Sequence, residues 1–190
     1  KIFVANDADS FTYAEFCAGA GYHYLKKNNL RPNEVTAVGL ILGTGLGAGT
    51  IISGKLHTGR RGAASEWGHT MLSHNFLPCY CGELSCAEQV LSGPGLEASF
   101  NQRIYSQIKA RPSAKDIFLM AENHEPTAIA IIHHYKKNLA KFLSTIINTI
   151  DPHFFVFGGG LSQQDILYEE LINDIKDSCF IKENLPEIFK

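Results

Sequence analysis

His69, Cys79, Cys81 and Cys86 fall in one short stretch that is poor in apolar residues and rich in Gly and His. Three thiolates and an imidazole are the donor set of a tetrahedral zinc ion whose positions are all filled by protein, which is the arrangement of a structural site. Gly82 inside the cluster permits the tight backbone path that such ligation needs. The plainer alternative is three free thiols that happen to lie close, or a pair that oxidises, and the density of ligands favours the metal. The chain has five cysteines, with Cys17 and Cys179 far from the cluster. An odd, clustered set argues against a disulfide framework and for a reducing compartment, so a cytoplasmic setting is expected.

A second group could handle protons and hydroxyls. Asn6 and Asp7 follow an apolar run, Val4 and the residues before it, that reads as a strand. A carboxylate at a strand end can face a cleft and take the proton of a substrate hydroxyl. The same pair serves as readily as a turn or a helix cap. Glu66 and His69 flank Trp67 and Gly68, and Glu88 follows the last clustered cysteine. A metal knot would gather two carboxylates and an imidazole into one neighbourhood; without it, Glu66 and Glu88 read as solvated loop charges.

Glycines form the third group. Gly43, Thr44, Gly45, Leu46, Gly47, Ala48 and Gly49 lie between two apolar runs, so they match neither a Walker loop nor a dinucleotide fingerprint, both of which open a helix. Their amides and the Thr44 hydroxyl can face phosphate oxygens, and a tight turn between close-packed strands explains them equally well. Gly158, Gly159 and Gly160 follow a buried strand, where backbone can approach a nucleotide. A helix entered through Ser162 as N-cap accounts for them almost as well.

The elements that must position these groups alternate between strand and helix. A helix is expected from Asp9 to Lys27, capped by Asp9 or Ser10, with Ala14, Cys17, Ala18 and Tyr22 as its apolar stripe. Strands follow at Val35 to Leu42 and Ala48 to Ile52, then loops from Ser53 to Cys86. Further helices are expected at Glu88 to Gln107, Lys115 to Asn123, Pro126 to Ile150 and Asp165 to Ser178, with a buried strand at Phe154 to Phe157. This alternation gives an α/β class.

Composition narrows the function. A chain of 190 residues with 45% hydrophobic content can bury a sizeable core. A formal net charge of -2 with mixed signs gives no nucleic-acid footprint and no anionic-membrane patch. Apolar runs such as Val38 to Leu42 fall far short of the roughly 20 residues that span a bilayer. No secretory signal pattern is visible in the residues given.

Taken in order, VANDAD at 4–9, LGTGLGAG at 42–49, ASEWGH at 64–69, CYCGELSCAE at 79–88, LSGPG at 91–95 and DPHFFVFGGGLS at 151–162 resemble the motifs of the ROK family of sugar kinases and sugar-responsive repressors. The match runs from Val4 to about Cys179, and the PCYCG, EWGH and GGGLS wording looks most like the bacterial fructokinases of broad hexose tolerance. The resemblance implies an actin-like, ribonuclease H-like fold whose two lobes close over sugar and ATP with Mg2+, usually in a homodimer. Residues 1–30 would be a remnant of the N-terminal lobe carrying the catalytic Asp, and 31–190 the C-terminal lobe.

By the same resemblance, Asp7 is the base toward the sugar 6-hydroxyl, and Asn6, Asp7, Glu66, His69 and Glu88 touch the sugar. His69 also ligates structural zinc with Cys79, Cys81 and Cys86. Thr44 and Gly45 meet the phosphates, and Gly158, Gly159 and Gly160 the adenosine side. The chain departs from the family pattern at Asp9, where Asn is usual, and at Tyr80 and Ser85, where Gly is usual, though the tyrosine occurs in the fructokinase-like branch. The family's N-terminal Asp-Gly-Gly-Thr hairpin and C-terminal Gly-Asp stretch have no counterpart, so the chain is expected to be a piece that cannot turn over alone. A glucose or N-acetylhexosamine kinase and a repressor of the same family are the alternatives. A small zinc-binding interaction domain would leave the other motifs to coincidence.

Overall fold

The computed structural model describes residues 5–72, 77–104 and 111–190; the strand expected up to Ala5 lies almost wholly outside them, as does the Gln107 end of a predicted helix. The two apolar runs around the glycine segment pair as an antiparallel hairpin, β1 (Ala37–Leu42) and β2 (Leu46–Ile52), with Leu42 opposite Leu46 across a turn of Gly43, Thr44 and Gly45. β3 (Lys55–Leu56) extends β2 at the sheet edge. β4 (Phe154–Gly158) lies parallel to β1, and β5 (Glu187–Phe189) parallel to β4, giving the order β3-β2-β1-β4-β5. β3 and β5 are too short for the sequence pattern to announce them.

The helix expected from Asp9 to Lys27 is two helices, α1 (Asp7–Ala18) and α2 (Ala20–Asn28), broken at Gly19. Its cap is Asn6, not Asp9 or Ser10: Asn6 is extended, and its side-chain oxygen accepts the Asp9 N–H at 3.1 Å. The predicted apolar stripe is also corrected. Ala14, Cys17, Ala18 and Tyr22 are exposed, and α1 buries Ala8, Asp9, Thr12 and Phe16 instead. The reason lies in the sheet beneath. A methyl group added to Gly39 or Gly49 would come within 2.1 or 2.5 Å of the Thr12 hydroxyl, so the helix sits almost on the backbone of β1 and β2, where only small side chains fit. Thr12 meets the cost of burial by donating to the Ala8 carbonyl at 2.7 Å.

The single helix expected over 88–107 is interrupted at Ser92, which is extended and accepts the Gly95 N–H at 3.2 Å, so that α3 (Glu88–Leu91) and α4 (Gly93–Arg103) are separate. α5 (Ala114–Glu122) begins on a Ser113–Asp116 capping box, and α6 (Pro126–Ile150) has Pro126 in its first turn with Glu125 as cap. α6 buries Ile131, Ile132, Tyr135, Leu139, Phe142, Leu143, Ile146 and Ile147 in one core with Leu40, Leu42, Phe155 and Phe157. The last predicted helix is shorter than expected: 165–167 is one 3-10 turn, and α7 (Leu171–Ser178) starts only after Glu170 in a left-handed conformation. Ser162 does not cap a helix; it lies in the 3-10 turn Leu161–Gln163 and donates to the Gly159 carbonyl. Among the described residues, no helix is long and apolar enough to cross a membrane.

Candidate active site

Among the described residues of the 53–86 segment, polar and sulfur contacts add to a few apolar ones, Trp67 and Leu72 against the main core and Leu56 against the smaller one. The Cys79 N–H donates to the Glu83 carbonyl at 2.9 Å and the Gly82 N–H to the Cys79 carbonyl at 3.0 Å, a tight turn in which Gly82 has φ +97°. Met71 bridges Cys86 and Pro78 bridges Leu84 across it. His69 Nδ1 and the three sulfurs of Cys79, Cys81 and Cys86 thereby converge, with all four ligand atoms within 4.8 Å of one another. The Cys79 Sγ to His69 Nδ1 and Cys81 Sγ to Cys86 Sγ separations are both 3.6 Å. A tetrahedron with Zn–S of about 2.3 Å and Zn–N of about 2.0–2.1 Å has edges of about 3.5–3.8 Å, so the donor geometry fits that ion.

The thiols are electrostatically divided. The Cys81 backbone N–H, followed by bonds from the neighbouring side chains, brings the Cys79 thiol down to about 7. Burial and the adjacent thiols push Cys86 up to about 12. A dication at the centre would remove that conflict by favouring every thiolate at once.

The other predicted sugar-site residues gather around the first two residues of β2. Glu88 Oε2 accepts the Leu46 N–H at 3.0 Å. The Trp67–His69 3-10 turn passes so close on the other side that a methyl on Gly68 would lie 2.3 Å from the Leu46 carbonyl oxygen. The start of α1 arrives at the next residue, with the Ala8 methyl 3.1 Å from where a Gly47 side chain would begin. Three segments distant in sequence, carrying Asn6 and Asp7, Glu66 and His69, and Glu88, therefore meet at Leu46–Gly47. Asn6, Asp7 and Glu66 are exposed there. Asp7 Oδ1 accepts its neighbour's N–H, from Ala8 at 2.8 Å, and the residue is exposed.

On the far side of the Gly43–Gly45 turn lies a cleft of about 460 Å³ between the starts of α4 and α5 and the 3-10 turn after β4. Thr44 and Gly160 line it, joined by Pro94, Glu97, Phe118 and Leu161. The remaining glycines predicted for the nucleotide lie beside it: Gly45 faces Glu88, Gly158 packs under the Phe11 ring, and Gly159 presses on the Leu42 carbonyl. Part of the cleft wall, Pro94 of the LSGPG run and Gly160 of the glycine run, falls in motifs legible in the sequence, while Glu97, Lys115 and Phe118 are ordinary side chains brought there by α4 and α5. A larger groove of about 730 Å³, between Tyr168 and Ile188, contains none of the predicted site residues.

The ROK family model matches residues 1–188. The chain belongs to the ROK family. It is 32% identical to an N-acetyl-D-glucosamine kinase of Haemophilus influenzae and 36% identical to one of Mannheimia succiniciproducens, in each case over all of this chain and 62% of the relative. The chain thus spans about three-fifths of the curated relatives it matches. Among solved structures, a ROK hexokinase from Thermus thermophilus superposes with a TM-score of 0.83 at 23% identity, covering 98% of this chain and 61% of that one. A ROK glucokinase from Streptomyces griseus in complex with glucose and AMPPNP gives 0.82 at 26%, covering 98% and 62%. A ROK transcriptional regulator homologous to Escherichia coli MLC gives 0.79 at 24%, covering 98% and 47%. The α/β architecture is accordingly the actin-like fold of the ROK sugar kinases.

Two residues where this ROK chain departs from the family pattern occupy the site. Asp9 is buried beneath it, with Oδ1 lacking a hydrogen-bond partner among the described residues. Burial, then the Glu66 charge, raise its pKa above the usual carboxylate value. Tyr80 stands at the metal cluster with its hydroxyl 3.0 Å from His69 Nε2. Ser85, the third departure, is buried with φ +63°, a strained conformation for a residue carrying a Cβ.

Proposed function

We propose that this chain is the greater part of an ATP-dependent hexose kinase that phosphorylates the sugar 6-hydroxyl. The observation that carries the reading is the meeting of Asp7, Glu66, His69 and Glu88 around Leu46–Gly47, one hairpin turn away from a cleft large enough for a nucleotide. In this reading Asp7 accepts the hydroxyl proton, Asn6, Glu66, His69 and Glu88 orient the ring, and Thr44 and Gly45 offer backbone donors to the transferring phosphate. ATP enters with Mg2+, and Gly158, Gly159 and Gly160 shape the adenosine side. His69, Cys79, Cys81 and Cys86 hold zinc, which supplies folding free energy to a loop with little apolar content of its own.

The fructokinase-like wording of the motifs and the N-acetyl-D-glucosamine kinases among the relatives support a test panel headed by fructose, glucose and N-acetylglucosamine. A division into an N-terminal remnant at 1–30 and a lobe at 31–190, a homodimer and a cytoplasmic setting belong to the same proposal. The likeness to a ROK regulator supports a second reading, a sugar sensor that binds without phosphorylating. An ATP-coupled assay of the full-length protein against the panel separates the two. Asp7→Asn is expected to lower kcat by about 10²- to 10⁴-fold while leaving sugar affinity nearly intact. Sugar binding with no turnover in the wild type selects the sensor, and an Asp7→Asn variant that keeps its turnover removes Asp7 as the base.

A further inference from the structure

His69 has two ring nitrogens, and the fold commits them to different partners. Nδ1 points into the sulfur cluster, 3.6 Å from Cys79 Sγ, and Nε2 points away from it to the Tyr80 hydroxyl at 3.0 Å. An imidazole that gives Nδ1 to a metal carries its proton on Nε2, so Nε2–H donates and the phenol oxygen accepts. The Tyr80 O–H is then left to donate elsewhere. Its surroundings are the acidic side of the site: Glu66 directly precedes the 3-10 turn that ends at His69, and Glu88 follows the last clustered cysteine. The ring stands edge-on to His69, with centroids 5.2 Å apart and planes at 86°, and is 80% exposed. A large ring so exposed contributes little to the core, and its only side-chain hydrogen bond among the described residues is the one to His69.

We propose that Tyr80 is a sugar-contacting residue, whose hydroxyl takes the His69 Nε2–H and presents its own O–H to a hexose oxygen held between Glu66 and Glu88. The imidazole reaches the sugar through this phenol, and the ring forms one wall of the pocket. The inference rests on the sugar-site reading above. It assigns a role to a position where Gly is usual in the family and Tyr belongs to the fructokinase-like wording, so it also makes Tyr80 a place where the choice among hexoses is set.

The test measures sugar affinity without nucleotide, by calorimetry with glucose, fructose and N-acetylglucosamine, beside steady-state kinetics and bound-zinc content of the full-length protein. Tyr80→Phe keeps the ring and removes the hydroxyl. Loss of one neutral hydrogen bond predicts a rise of about 3- to 10-fold in the dissociation constant and in KM, with kcat and zinc content unchanged. Tyr80→Gly removes the wall as well, and the ranking of the three sugars is expected to change. An unchanged or tighter sugar affinity in Tyr80→Phe overturns the proposal, because the phenol would then be a bystander or an obstruction. Loss of zinc in Tyr80→Phe overturns it too, since the residue would belong to the metal knot alone. A wild type that holds zinc but binds none of the sugars brings down the sugar-site reading itself, and this inference with it.

Discussion

Glu88 and Leu46 are joined by a 3.0 Å hydrogen bond from the Leu46 backbone N–H to Glu88 Oε2, which fixes the first carboxylate after the cysteine cluster to the strand that leaves the glycine turn. The bond makes the proposed sugar side and the proposed phosphate side one mechanical unit. Gly45 borders it, for a methyl there would lie 2.7 Å from the same Oε2. Gly45→Ala is therefore expected to push the Glu88 carboxylate aside. Because only the end of a flexible side chain must move, folding stability should fall by no more than about 1 kcal/mol. Sugar affinity should fall by more than nucleotide affinity. Calorimetric titration with each ligand, next to urea denaturation, checks the split, and equal losses for both would show that the carboxylate does not serve the sugar.

Gly159 presents the opposite case. Its φ is +87°, and a Cβ would lie 2.4 Å from the Leu42 carbonyl oxygen and 2.8 Å from its carbon, which are backbone atoms of a central strand. Nothing there can swing away. Gly159→Ala is expected to cost about 3 kcal/mol from overpacking and left-handed strain together. Gly160→Ala is the control, since a methyl at Gly160 meets nothing within 4 Å. Its urea midpoint should stay close to that of the parent, and a loss equal to that of Gly159→Ala would contradict the account.

Sequence and structure agree most closely where one physical rule acts alone. Pro126 in the first turn and a long apolar stripe fix α6 at both ends, and the β-branched runs around Gly43–Gly45 leave a hairpin as the simplest pairing. The convergence of His69, Cys79, Cys81 and Cys86 is legible for the same reason, because few other roles gather three cysteines and a histidine. Agreement fails where tertiary contact overrides local pattern. The face of α1 holding Ala8 and Thr12 looks weak as an apolar stripe, yet it is the buried one, because three sheet glycines accept nothing larger. Tyr80 and Asp9 were visible as departures from a family pattern, but their partners, His69 Nε2 and Glu66, are joined only by the fold.

Removing the metal should act locally. Among the described residues, the 65–88 segment is closed on itself by backbone bonds such as Ala87 N–H to the Thr70 carbonyl at 2.8 Å and Leu72 N–H to the Ser85 carbonyl at 3.0 Å, and the Ser65 hydroxyl and Trp67 Nε1–H tie it to the Thr50 hydroxyl of β2. α6 is buried along most of its length in the main core. Chelation is expected to speed amide hydrogen exchange at Trp67, Leu72 and Cys86 while leaving the centre of α6 protected, and zinc should reverse the change. Equal acceleration in α6 would mean that the ion supports the whole fold and not one loop.

Asp9 should make stability depend on pH in the direction opposite to most carboxylates. Its folded pKa is raised by burial and by the Glu66 charge, so the folded chain holds the proton more tightly than the unfolded chain does. The stability linked to that proton is fully present below the ordinary carboxylate value of about 4 and is lost as pH rises through the raised folded value. Above that raised value the wild type keeps a charge in a place 7% exposed, with one oxygen unpartnered among the described residues. Asp9→Asn has nearly the same shape and no charge. Its advantage over the wild type in urea denaturation is expected to be small at pH 4 and to grow toward pH 7, and Glu66→Gln should narrow the gap by removing the second cause of the shift. A difference between the two proteins that stays constant from pH 4 to pH 7 would mean that Asp9 is solvated in solution and that the family's Asn can be exchanged for it without consequence.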